Sequence, residues 1–106
     1  MIIYNVTCHV DDDVLEEWVA WMASTHVPEV MATGKFIKYK FSEISKSHAD
    51  DAGTSFSIQF FAEDIQNYQS YQNEDAPQLI DKTTKKFGTK VAAFRTILHL
   101  IAEGTK

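Results

Sequence analysis

Apolar and polar residues alternate from the start of the chain. In MIIYNVTCHV, Ile2, Tyr4, Val6, Cys8 and Val10 form an apolar row, and Ile3, Asn5, Thr7 and His9 a mixed one. A period of two with unlike rows marks a strand buried on one side. Asp11, Asp12 and Asp13 end it, and the period then lengthens. Val14, Leu15, Trp18, Val19 and Met22 recur at helical spacing, predicting a helix over about 12–24. Asp13 precedes Glu16 by the interval of a capping box. Pro28 suits the first turn of a short second helical piece, which Gly34 closes. Alternation returns in KFIKYKFSEI, a strand at about 35–45, and in TSFSIQFFA, a strand at about 54–62. In the latter, Phe56, Ile58 and Phe60 oppose Ser55, Ser57, Gln59 and Phe61. A second helical region follows, marked by Ile65, Tyr68, Tyr71, Leu79, Ile80 and Phe87, divided by Pro77 and stopped by Gly88. The last strand, KVAAFRTILHLIA at about 90–102, is apolar on both faces, as a central strand would be.

The order β-α-β-β-α-β is the split βαβ, ferredoxin-like arrangement of the α+β class. Two right-handed crossovers put both helical regions on one face of a four-stranded antiparallel sheet, with expected strand order 4-1-3-2. One domain spans residues 1–106. The expected helix-facing rows are Tyr4, Val6 and Cys8, then Phe56, Ile58 and Phe60, then Phe94, Leu98 and Leu100. The uncovered face would carry Ile3, Asn5, Thr7, His9, Ile37, Tyr39, Phe41, Ser57, Gln59, Phe61, Ala93, Arg95, Ile97 and Ile101. That surface is too apolar for free solvent and too polar for an ordinary core. A second copy packed against it answers both points, so a homodimer through the open sheet face is expected.

Charge narrows the partners. Fifteen acidic residues against ten basic give a net charge of -5, which argues against nucleic acid and against an anionic membrane. No apolar run is long enough to span a bilayer, and no basic start leads into an apolar secretory core, so the cytoplasm is the expected location. Cys8 is the only cysteine and has no internal disulfide partner.

His26 and Glu29 are the best local pair for chemistry. Three residues apart on a helix, they share a side, so His26 could act as a general base with Glu29 orienting its ring. Trp18, Trp21 and Met22 would wall an adjacent pocket, with Tyr68 at its rim. The plainer reading has His26 capping the short helix and Glu29 favouring its positive end. Asn5, Thr7, Gln59 and Arg95 form a polar set on the sheet that could hold a small polar or anionic ligand, or fix the register of a dimer, with Arg95 held against Glu43. His9 and His99 are the one pair that neighbouring strands could bring together. Two ligands do not complete a usual zinc site, and no metal is expected.

MIIYNVT, EEWVAWM, HVPEVMATGKF, QFFAED and KFGTKVAAFRT together resemble a family of short bacterial proteins catalogued as a domain of unknown function. The resemblance runs from Met1 to about Leu100 and implies the dimeric α/β-barrel group of ferredoxin-like folds. That group includes antibiotic-biosynthesis monooxygenases, haem-degrading enzymes and lactone isomerases. Haem-degrading members pair a strand-one asparagine with a tryptophan and a histidine ligand from later segments. Asn5 is in place here, but the second helical region holds neither histidine nor tryptophan, so no cofactor is expected. The expectation is a homodimeric domain that binds a small organic ligand between helices and sheet. Two alternatives stand beside it. One is a cofactor-independent isomerase or monooxygenase-like enzyme using His26 as base; the other is a dimeric interaction module without a pocket.

Overall fold

The computed structural model describes residues 1–106. Strand β1 (Ile2–Val10) leads into a helical run of four pieces. These are a 3-10 turn (Asp12–Val14), helix α1 (Leu15–Trp21), a π-helical turn (Met22–His26) and helix α2 (Val27–Ala32). Strands β2 (Lys38–Ile44) and β3 (Thr54–Ala62) follow. Helices α3 (Ile65–Glu74) and α4 (Ala76–Phe87), a 3-10 turn (Gly88–Lys90) and strand β4 (Val91–His99) complete the chain.

Local chemistry sets most boundaries. Pro28 and Pro77 both lie in the first turn of a helix, where the missing N–H has no partner to lose. Asp64 caps α3 by accepting from the Asn67 amide at 2.9 Å. The expected Asp13 capping box does not form, because the Asp13 carboxylate takes the Lys90 ammonium at 2.9 Å instead. Gly88 ends α4 at a φ of 56°, a backbone region that favours glycine.

All strand pairs are antiparallel, in the order β2-β3-β1-β4, which is 4-1-3-2 read from the other edge. Two expectations are corrected. The sheet is open and not closed into a barrel: β2 and β4 are its two free edges, and closure needs edge strands to pair. β4 is therefore an edge strand, not a central one. The second correction concerns which way β2 and β4 face. Val6, in the core, lies opposite Ile58 and Arg95, and Tyr4 lies opposite Phe60 and Ile97. Ala93, Arg95 and Ile97 thus face the helices, whereas Phe94 and Leu98 face outward. Tyr39 and Phe41 also face the helices, opposite Phe60 and Ile58. A strand apolar on both rows carries no phase information, so a one-residue slip in reading it exchanges every side chain between faces.

The core lies between the sheet and the helices, where Val10, Trp18, Val27, Val30, Ile58 and Phe60 are fully buried. On the outer face, Leu98, Ile3, Phe61 and Lys38 form one cross-sheet row, with the Lys38 and Lys40 ammonium groups over the Phe61 ring. Phe94 is 68% exposed there.

Candidate functional site

A cavity of about 80 Å³ lies between β1 and β4 on one side and α1, the π-helical turn and α4 on the other. Tyr4, Val6 and Cys8 form its floor, Trp18, Met22 and His26 one wall, and Ile80, Thr83 and Thr84 the other. Ala93 and Arg95 on the edge strand and Gly88 after α4 are exposed, so the mouth opens between that edge and the end of α4. A second lobe of about 70 Å³ adjoins it and shares Tyr4, Tyr71, Ile80 and Arg95, adding Tyr68, Gln72 and Ala76.

The π-helical turn places His26 on this wall. The Val27 amide reaches back to the Met22 carbonyl, an i to i+5 step. Pro28 has no N–H for the Ser24 carbonyl, so the α pattern cannot run through unbroken. Turns of this kind are rare and concentrate at functional sites. The His26 ring stacks on Trp21 with centroids 5.5 Å apart and planes 27° apart. Its Nδ1 lies 3.4 Å from the Thr83 hydroxyl, which itself donates to the Leu79 carbonyl at 3.3 Å. The Thr83 hydroxyl thus lies between the Leu79 carbonyl and Nδ1, and Nε2 has no protein hydrogen-bond partner.

Burial is the main reason the His26 pKa falls below its ordinary 6.5; Glu29 opposes the shift, and Arg95 and Lys82 add to it. The ring is therefore neutral near pH 7. Burial also pushes the Cys8 thiol up to about 11, against the pull of Arg95, so Cys8 is a neutral wall residue. Burial raises Tyr4 and Tyr71 as well, keeping both phenols protonated. Arg95 donates from Nε to the Tyr4 hydroxyl at 3.1 Å and makes no ion pair. Trp18 is fully buried, and its indole N–H has no hydrogen-bond partner.

The structure brings Trp18, Met22, His26 and Arg95 to one cavity and Tyr68 to the adjoining lobe. Trp21 backs His26 rather than lining the space. Glu29 is turned away: its carboxylate takes Lys82 at 2.9 Å, and Thr83 holds the His26 ring in its place. Asn5 sits on the opposite face of the sheet, accepting from Ser57 at 2.7 Å and donating to Thr7 at 3.2 Å. Glu43, on the far edge strand, is not near Arg95. His9 pairs with Ser55 at 2.9 Å and lies opposite Ala92, while His99 lies opposite Ile2 at the other end of the sheet. No group of three or more His, Cys, Asp or Glu is arranged to hold a metal ion. Thr83 and Tyr4 are site residues that the sequence did not single out. The alternation of β1 was the available signal for Tyr4.

Residues 1–101 match the family described as "Domain of unknown function (DUF4286)". The chain belongs to this family. No curated sequence matches it. Among solved structures it is similar to an ethyl tert-butyl ether d (EthD) family protein from Bacillus halodurans, at 15% identity and a TM-score of 0.72, covering 95% of this chain and 100% of that one. It is similar to a dimeric ferredoxin-like protein from an uncultured marine organism, at 12% identity and a TM-score of 0.69, with each chain covered in full. It is also similar to SnoaB, a cofactor-independent oxygenase from Streptomyces nogalater, at 8% identity and a TM-score of 0.61, covering 96% and 95%. At these identities the likeness establishes the ferredoxin-like fold and leaves the chemistry to the residues. No helix is long and apolar enough to cross a membrane.

Proposed function

We propose that this protein is a small enzyme that works without a cofactor, in which neutral His26 removes a proton from a carbon acid held in the cavity. The observation that carries the reading is the His26 ring itself. It lines the cavity, is held at Nδ1 by Thr83 and backed by Trp21, and leaves Nε2 without a protein partner. A neutral imidazole, its pKa lowered by burial, is available to take a proton. Arg95 at the mouth would stabilise the negative charge that develops on the substrate, as fixed donors do in a partly desolvated site.

The carbanion formed has two fates. Reprotonation at another carbon is isomerisation; reaction with dioxygen is oxygenation that needs no metal or flavin, because the substrate supplies the electrons. The likeness of fold to a cofactor-independent oxygenase supports the second. The cavity volume of about 80 Å³ restricts the substrate to something small, since drug-sized ligands fill roughly 300–1,000 Å³.

Two neutral and anionic carbon acids, acetylacetone and phenylpyruvate, serve as probes. Solvent deuterium exchange at the acidic carbon is followed by NMR, with oxygen uptake read in parallel. Wild-type protein should accelerate exchange of at least one probe, and His26→Gln should abolish that acceleration. Exchange undiminished in His26→Gln, or none with either probe, would overturn the reading.

The assembly we propose is a homodimer through the outer sheet face. Exposed Phe94 and Leu98 beside Ile3 support it, as does the dimeric ferredoxin-like relative. Four strands of this length present on the order of 500 Å² per copy. Twice that, about 1,000 Å², is the least a specific interface should bury.

A further inference from the structure

The cavity carries one full positive charge and no negative one. Neither lobe is lined by an aspartate or glutamate, in a chain where acidic residues outnumber basic ones by fifteen to ten. Arg95 is the chain's only arginine and belongs to both lobes. Five lysines have carboxylate partners; Arg95 has none. Its one hydrogen bond, from Nε to the Tyr4 hydroxyl, steadies the guanidinium plane and leaves both terminal nitrogens without a protein acceptor. Two parallel N–H donors of this kind match the two oxygens of a carboxylate. A lysine could supply the charge, but not the fork.

The shape limits what can follow the anionic group inside. The two lobes hold about 80 and 70 Å³. An apolar cavity of ~150 Å³ accepts one benzene ring. Trp18, Met22, Ile80 and Tyr71 give the slot apolar and aromatic walls.

We infer that the cavity recognises a small carboxylate bearing a single planar ring. Its carboxylate sits on the Arg95 fork at the mouth, and its ring lies along Trp18 and Tyr71. As a substrate class this rests on the carbon-acid reading above, since a carbon between carboxylate and ring is the one brought toward His26; as a binding site it stands independently.

The test uses benzoate and its neutral isostere benzamide, titrated into the full-length protein at neutral pH and low salt. Calorimetry gives the affinities, and NMR follows the Trp18 indole proton. Benzoate should bind at least about tenfold more tightly than benzamide. Saturation should move the Trp18 indole resonance. Arg95→Gln should cost benzoate about tenfold or more and leave benzamide unchanged, with Arg95→Lys in between. Equal affinities, indifference to Arg95→Gln, or no benzoate binding at about 20 mM overturns the inference. If Arg95→Gln does not fold, the benzoate and benzamide comparison in the wild-type protein decides alone. No acceleration of deuterium exchange by the wild-type protein, with benzoate selectivity intact, removes only the His26 reading. Exchange with acetylacetone but no benzoate selectivity removes only the carboxylate site.

Discussion

Trp18→Phe is the substitution whose outcome depends most directly on the cavity. Trp18 is fully buried, with ring centroids 4.9 Å from Phe56 and 5.8 Å from Phe41. Truncation to alanine should cost about 3–5 kcal/mol, a large share of the roughly 5–15 kcal/mol that holds such a domain together. Phenylalanine keeps one ring. Losing the other removes about 40 Å² of buried apolar surface, about 1 kcal/mol. The hole of about 40 Å³ adds about 1 kcal/mol more. Against that, phenylalanine has no N–H to strand, which recovers about 1–3 kcal/mol because the wild-type indole donor is unpaired. The terms nearly cancel, and Trp18→Phe should lie within about 1 kcal/mol of wild type. Urea unfolding followed by circular dichroism separates the variants. With a slope of about 1–3 kcal/mol per molar, Trp18→Ala should lower the midpoint by about 2 M and Trp18→Phe by under about 1 M. A loss above about 2 kcal/mol in Trp18→Phe would falsify the premise of an unsatisfied donor, and the indole would then have to be bonded through a buried water.

Four further outcomes are expected. His26→Gln should lower kcat for deuterium exchange by about 10²–10⁴-fold with little change in stability, and the wild-type rate should fall on an acid limb centred below pH 6.5, because neutral His26 is the active form. The same depressed pKa makes stability fully present above pH 6.5 and lost as pH falls from there through the folded-state value, which acid unfolding of wild type and His26→Gln can compare. Gly53→Ala would put a methyl carbon 2.5 Å from His9 Nε2 and 2.9 Å from the Val10 carbonyl at a φ of 74°; it should cost at least about 1–2 kcal/mol, seen as a thermal midpoint lower by several degrees. Phe94→Glu should convert a dimer into a monomer in light scattering, and a wild-type protein already monomeric at high concentration would remove the interface.

Much of the fold was legible because three signals agreed. The β1 and β3 rows alternate cleanly, α1 has a helical stripe, and prolines and glycines fall at element ends. The Thr54–Ala62 strand was readable to the residue. β4 was not, because Ala92, Phe94 and Leu98 are as apolar as Ala93 and Ile97, and only tertiary pairing with β1 fixes which row meets the helices. That single ambiguity hid the site: Arg95 read onto the outer face joins Asn5, whereas in place it joins Tyr4, Trp18 and His26. Thr83 escaped notice for a different reason. It lies 57 residues from His26, and no local pattern links a helix threonine to a distant imidazole.

The five residues from Met22 to His26 have one more residue than an α-helical turn would use. Deleting Ala23 would let the chain wind evenly, and each residue of helix advances by about 100°. Because a π turn takes one residue more for nearly the same rotation, Trp18 and Val27 would keep their seats and the change would fall on the Met22–His26 stretch itself. The imidazole thus owes its place to one extra residue in the winding. Shortening this stretch by one position would yield a smoother rod and take the imidazole off the wall it now shares with Met22.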